Sequence, residues 1–127
     1  MARQESNSAD EAFTIERRGD LTVITATREL ERIEFGLEEL VSEVILTPLR
    51  RQENPLIVFD LSRVDYFGSM FLALLIRCWK LALSRGGTMA LSGVNDRTRE
   101  LLRVTALDMV WPLYQSKREA IEALQLD

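Results

Sequence analysis

Gly68-Ser69-Met70 stands where the apolar, β-branched run Leu56–Ser62 gives way to the apolar stretch Met70–Ile76, so one hydroxyl marks the passage from a strand to a helix. A serine in that place has two uses. As an N-cap its hydroxyl accepts a hydrogen bond from a backbone N–H two or three residues on, worth about 1 kcal/mol. As a phosphate acceptor it places two negative charges at the positive end of the helix, where free N–H groups receive them. Other reactive chemistry is scarce. The chain has no histidine and one cysteine, Cys78, so a hydroxyl or thiol nucleophile has no imidazole base, and neither a disulfide nor a paired-cysteine metal site can form within the chain. No phosphate-binding glycine loop, nucleophile elbow or metal-ligand spacing occurs. Catalytic residues, metal and cofactor are accordingly expected to be none, and an enzyme has little support.

The elements that present this junction follow from periodicity. "AFTIERRGDLTVITAT" contains two β-prone runs, Phe13–Arg17 and Leu21–Thr27, around the turn residues Arg18-Gly19-Asp20, which predicts a hairpin. From Phe35 the period changes: Leu37, Leu40, Val41, Val44 and Ile45 share a helical face. Leu56–Ser62 reads as a central parallel strand covered on both faces. A helix from about Ser69 to Ser84 ends at Gly86-Gly87, where glycine takes the left-handed conformation. "TMALSG" is a strand, "NDRTRELLRVTAL" a helix capped by Asn95 or Asp96, "DMVWPLY" a last strand and "SKREAIEAL" a helix capped by Ser116. The order ββαβαβαβα predicts one α/β domain, a mixed β-sheet with right-handed crossovers and helices packed on it. Its expected extent is 12–127, behind a flexible tail at 1–11.

Composition narrows the partners. The chain has 127 residues, 46% apolar and 28% charged, and a net charge of −4; its Lys and Arg are dispersed among acids, so nucleic acid is an unfavoured ligand. The apolar run Met70–Ile76 is too short for membrane insertion, and the N-terminus has no signal-peptide core, which makes a cytoplasmic location the expectation. The acids Glu29, Glu31, Glu34, Glu38 and Glu39 read as a solvated face, and Trp79, Trp111 and Cys78 as core.

From Leu56 onward the chain resembles a STAS domain of the bacterial anti-sigma factor antagonist type. The resemblance rests on "LIVFDLSRVDYFGSMFLALLI" and on "LSRGGTMALSGVNDRTRELLRVTALDMVWPLYQSKREAIEAL". Those antagonists carry an apolar strand ending Asp-Leu, then Asp-Ser-Ser-Gly-Leu opening a helix that closes at Gly-Gly. Leu61, Leu72 and Gly86-Gly87 fall on this pattern without a gap. Within the motif, Gly68 stands in place of the acid, Ser69 matches the first serine, and Met70 occupies the position of the second serine, the one phosphorylated in the resembled proteins.

The resemblance implies a protein-binding regulator that docks on an anti-sigma factor of the serine-kinase type, with Ser69 as the phosphorylation candidate and Gly68, Ser69, Met70, Ala73 and Arg77 as partner-binding residues. On a helical wheel Met70, Ala73, Arg77, Lys80 and Ser84 face solvent, while Phe71, Leu75, Cys78, Trp79 and Ala82 face inward. The alternative is a constitutive, non-phosphorylated STAS adaptor in a signalling scaffold or transporter assembly, which Met70 favours. Self-association stays open.

Overall fold

The computed structural model describes residues 13–27 and 37–125, and of residues 37–42 the backbone alone. The tail, the acids Glu29, Glu31 and Glu34, and the side chains of Leu37, Glu38, Glu39, Leu40 and Val41 therefore lie outside the described residues. Val44, placed by its spacing on the same helical face as Ile45, is exposed, while Ile45 is buried.

Two short extended runs with a glycine between them form the expected hairpin: β1 (Phe13–Arg18) pairs antiparallel with β2 (Leu21–Ala26), from Phe13↔Ala26 to Arg18↔Leu21. Gly19, at φ 63°, supplies the turn conformation. Helix α1 (Leu37–Leu49) follows, then β3 (Leu56–Asp60), α2 (Ser69–Ser84), β4 (Thr88–Ser92), α3 (Asp96–Val104), a 3₁₀ turn (Leu107–Met109), β5 (Leu113–Tyr114) and α4 (Lys117–Gln125). The strands lie in the sheet in chain order, and every pairing after the hairpin is parallel. The expected α/β class and element order both hold.

Pleating sends alternate residues of each strand to opposite faces. Ile24, Ile57, Phe59, Met89 and Leu91 meet Ile45, Leu46 and Leu49 of α1, Leu74, Leu75 and Cys78 of α2, Leu102 of α3 and Trp111 in the larger core. Leu21, Val23 and Val58 point the other way and pack on Ala120 of α4, with Ile121 and Leu124 beside it. Covering on both sides explains why Leu21–Ile24 and Ile57–Leu61 are buried without alternation.

The end of α2 shows how the helix is fixed in place. Gly86 is left-handed at φ 81°, its N–H donates to the carbonyl of Leu83, and the N–H of Gly87 reaches back to that of Ala82 at 2.7 Å. This closes the helix carbonyls in a Schellman arrangement. A Cβ on Gly87 would collide with the carbonyl of Pro55 at the entry to β3, so only glycine lets α2 return this tightly onto the sheet.

One expected strand shrinks. Within "DMVWPLY" only Leu113–Tyr114 pairs with β4, while Leu107–Met109 turns as a 3₁₀ helix after the left-handed Ala106. Pro112 has no N–H to give a ladder, and Trp111 is fully buried in the core instead of alternating across a strand.

Candidate functional site

A carboxylate closes β3. Asp60, on the same pleat side as Val58, is 5% exposed and accepts hydrogen bonds from the hydroxyls of Ser92 at 2.8 Å and Ser62 at 2.9 Å. Those two donors offset the loss of water around a buried acid. The backbone joins in: the N–H of Leu61 donates to the carbonyl of Ser92. Gly93, at φ 69°, lies so close that a Cβ there would sit 2.7 Å from the Cβ of Ser62. The ends of β3 and β4 are thereby locked together just before the loop at 61–68.

That loop is held again further along. Asn95 caps α3 by accepting from the N–H of Thr98 at 2.8 Å, and its amide donates across to the carbonyl of Asp65 at 2.9 Å. Phe67 is buried against Phe71, with ring centroids 4.8 Å apart, and Phe71 also meets Phe59 at 6.0 Å and Phe13 at 6.2 Å. The first turn of α2 is thus pinned by one aromatic side chain surrounded by three others, contacts that hold offset or edge-on rings in place.

The position of Ser69 differs from the cap expectation. Gly68, extended at φ −102° and ψ −167°, is the N-cap, and no side chain caps the helix. Its carbonyl accepts from the N–H of Leu72 at 3.2 Å. Ser69 is already the first helical residue, so its hydroxyl stands one position too late to reach the second or third N–H of the turn. It is exposed and has no hydrogen-bond partner among the described residues.

Met70, Ala73 and Arg77 are each half-buried and follow Ser69 along one side of α2 at helical spacing, with Gly68 at the head of the stripe. The structure brings these five together. Lys80 and Ser84 continue the stripe as exposed residues, and Phe71, Leu75, Cys78 and Ala82 are buried as the wheel placed them. Trp79 is half-buried, packed edge-on to Trp111 with centroids 6.2 Å apart. Burial pushes the Cys78 thiol up to about 12, which leaves it protonated and unreactive at neutral pH. Among the described residues no cluster of acids and thiols could hold a metal ion.

On its other flank Ser69 borders a groove of about 210 Å³, lined by Tyr66, Gly68, Leu72, Arg97 and Leu101 among others. The Arg97 guanidinium lies over the Tyr66 ring, 5.7 Å from its centroid. Sequence reasoning missed this groove. Arg97 is distant in the chain, and no periodicity announces that the start of α3 meets the loop before α2. The Asp60 anchor did leave a signal, since an acid ending a doubly covered strand requires donors nearby.

A sequence profile for the STAS domain matches residues 5–120. The chain belongs to the STAS domain family. A Planctomyces limnophilus anti-sigma-factor antagonist (STAS) domain protein superposes on this STAS domain with a TM-score of 0.77 and 31% identity, over 88% of this chain and 97% of that one. A Thermotoga neapolitana protein assigned as an anti-sigma factor antagonist is 33% identical over 69 residues, 54% of this chain and 61% of the relative's own length. The phosphorylated Bacillus cell-fate determinant SpoIIAA shares the fold at a TM-score of 0.72 and 19% identity, over 90% of this chain and all of that one. No helix among the described residues is long and apolar enough to cross a membrane.

Proposed function

We propose that this STAS domain is a cytoplasmic anti-sigma factor antagonist that docks on a serine-kinase-type anti-sigma factor through Gly68, Ser69, Met70, Ala73 and Arg77, and that Ser69 is its phosphorylation switch. The supporting observation is the uncommitted hydroxyl. Because Gly68 holds the cap position without a side chain, the Ser69 hydroxyl is exposed and bonded to nothing described. A phosphate there meets the free N–H groups of the first turn of α2 and the positive end of the helix, so the fold accommodates it. The domain acts by binding, and its partner carries the chemistry.

One observation favours a second reading, a constitutive adaptor in a scaffold or transporter assembly without phosphorylation. Met70 is half-buried where the resembled antagonists have their acceptor serine, and a polarizable apolar side chain at that corner suits a permanent protein contact.

Isolating the protein from its native cell with its partner, followed by mass spectrometry of Ser69, separates the two. A kinase-type anti-sigma partner with phosphate on Ser69 supports the switch; a transporter or scaffold subunit with unmodified Ser69 selects the adaptor. With the partner in hand, Ser69→Asp weakens binding at least several-fold and Ser69→Ala does not if the switch is inhibitory. Equal affinities for both variants rule the switch out.

A further inference from the structure

Arg97 is an exposed cation held over an aromatic ring at the edge of the groove that Ser69 also lines. Asp96 precedes it at the first position of α3, and Asp65 precedes Tyr66 on the facing loop, yet Arg97 forms no ion pair among the described residues and lies over the Tyr66 ring instead. The groove below it is walled mainly by Tyr66, Phe67, Leu72 and Leu101, with Ser69 on the rim. The groove is largely apolar and holds no carboxylate in its lining, and stacking on a ring at an exposed site is a weak hold that fixes direction while leaving the fork of donors unspent.

Resting on the reading that Ser69 is phosphorylated, we propose that Arg97 is the receptor for that phosphate within the same molecule. A phosphoserine brings close to two negative charges and three acceptor oxygens. It meets the N–H groups of the first turn of α2 on one side and the guanidinium of Arg97 across the groove on the other, a charge-assisted bond stronger than the stacking it replaces. The phosphate then turns into the groove, away from the Met70–Ala73–Arg77 stripe, and ties the start of α2 to the start of α3. Phosphorylation in this arrangement closes the groove as well as adding charge to the docking corner.

The test uses the full chain with phosphoserine installed at position 69 by genetic encoding, so it does not depend on any kinase. Phosphorus NMR follows the second ionisation of the phosphate, ordinarily near pH 6, in the parent sequence, in Arg97→Gln and in Arg97→Lys. The helix N-terminus and the carboxylates of Asp65 and Asp96 act on the phosphate in all three, so the difference isolates Arg97. The expected midpoint in the parent is about one pH unit below that of Arg97→Gln, because a nearby cation favours the dianion, with Arg97→Lys in between. The Tyr66 ring resonances of the parent move on phosphorylation as the guanidinium leaves the ring. Equal midpoints in the parent and Arg97→Gln overturn the proposal. Since Arg97 is exposed, the variants keep the fold, which circular dichroism on the same samples verifies. Failure of the switch reading itself would appear elsewhere, as unmodified Ser69 in protein from its native cell.

Discussion

Helices α2 and α3 each leave a parallel strand and start at the same end of the sheet, but they are started by opposite means. The beginning of α3 is held by a side chain: Asn95 caps it, and the helix is short, with Thr98 and Leu102 its buried residues. The beginning of α2 has no side-chain cap and is held by what it buries, Phe71 among three aromatic rings. A helix anchored by its inner face leaves the polar groups of its first turn uncommitted. Where a cap is absent, a hydroxyl and several N–H groups stay available to a partner or a phosphate.

The contrast can be broken hardest on the buried side of α2. Leu75, fully buried, loses about 2–5 kcal/mol of stability on Leu75→Ala in denaturant unfolding; a loss under about 1 kcal/mol would make this face peripheral. Cys78 tests the same face chemically. With its thiol raised from 9.0 to about 12, the thiolate fraction at pH 8 is roughly a thousandfold below that of an unfolded chain, and alkylation should wait for unfolding. The native state holds this proton more tightly than the unfolded state. Stability is therefore unaffected by Cys78 below pH 9 and declines between about 9 and 12.

Asn95→Ala removes a cap and a loop bond together, with an expected cost of about 1–2 kcal/mol. Hydrogen exchange should quicken in the first turn of α3 and in the loop at 61–68. Ser116 offers the matched control, since its hydroxyl caps α4 by accepting from the N–H of Glu119 at 3.1 Å and has no loop to hold; Ser116→Ala should quicken exchange in α4 alone. The smallest effects belong to the start of α2. Ser69→Ala should change stability by less than about 0.5 kcal/mol, and Gly68→Asp, which adds the missing cap in open space, should raise it by a few tenths of a kcal/mol. A loss near 1 kcal/mol in Ser69→Ala would restore the cap reading.

Periodicity made the element order legible, because a switch from period two to period 3.6 records which side of a segment is buried; the inner face of α2 follows it, whereas Val44 of α1, placed inward by its spacing, is exposed. The start of α2 was not legible to one residue. Glycine and serine both serve as N-caps, and only the extended backbone of Gly68 decides between them. "DMVWPLY" carried the β propensity of a strand, but tertiary burial of Trp111 overrode it. Candidate site residues on one helix, from Ser69 to Arg77, could be placed together from spacing alone. Asn95 holding Asp65, and Arg97 over Tyr66, join segments about thirty residues apart, and no local pattern records such a meeting.

The sheet keeps its strands in the order in which they occur along the chain, and this bears on how the protein is made. Each strand from β2 onward pairs with the one synthesised just before it, so the loops to be closed are no longer than a single helical connection. A chain leaving the ribosome can enlarge its sheet strand by strand, covering one face with α1, α2 and α3 as it goes. The pairing of Asn95 with Asp65 becomes possible only once β4 has been laid down, so the corner that presents Ser69 is finished after α2 itself has formed. Ala120 and its neighbours arrive later still, so the second face of the sheet is sealed after the first.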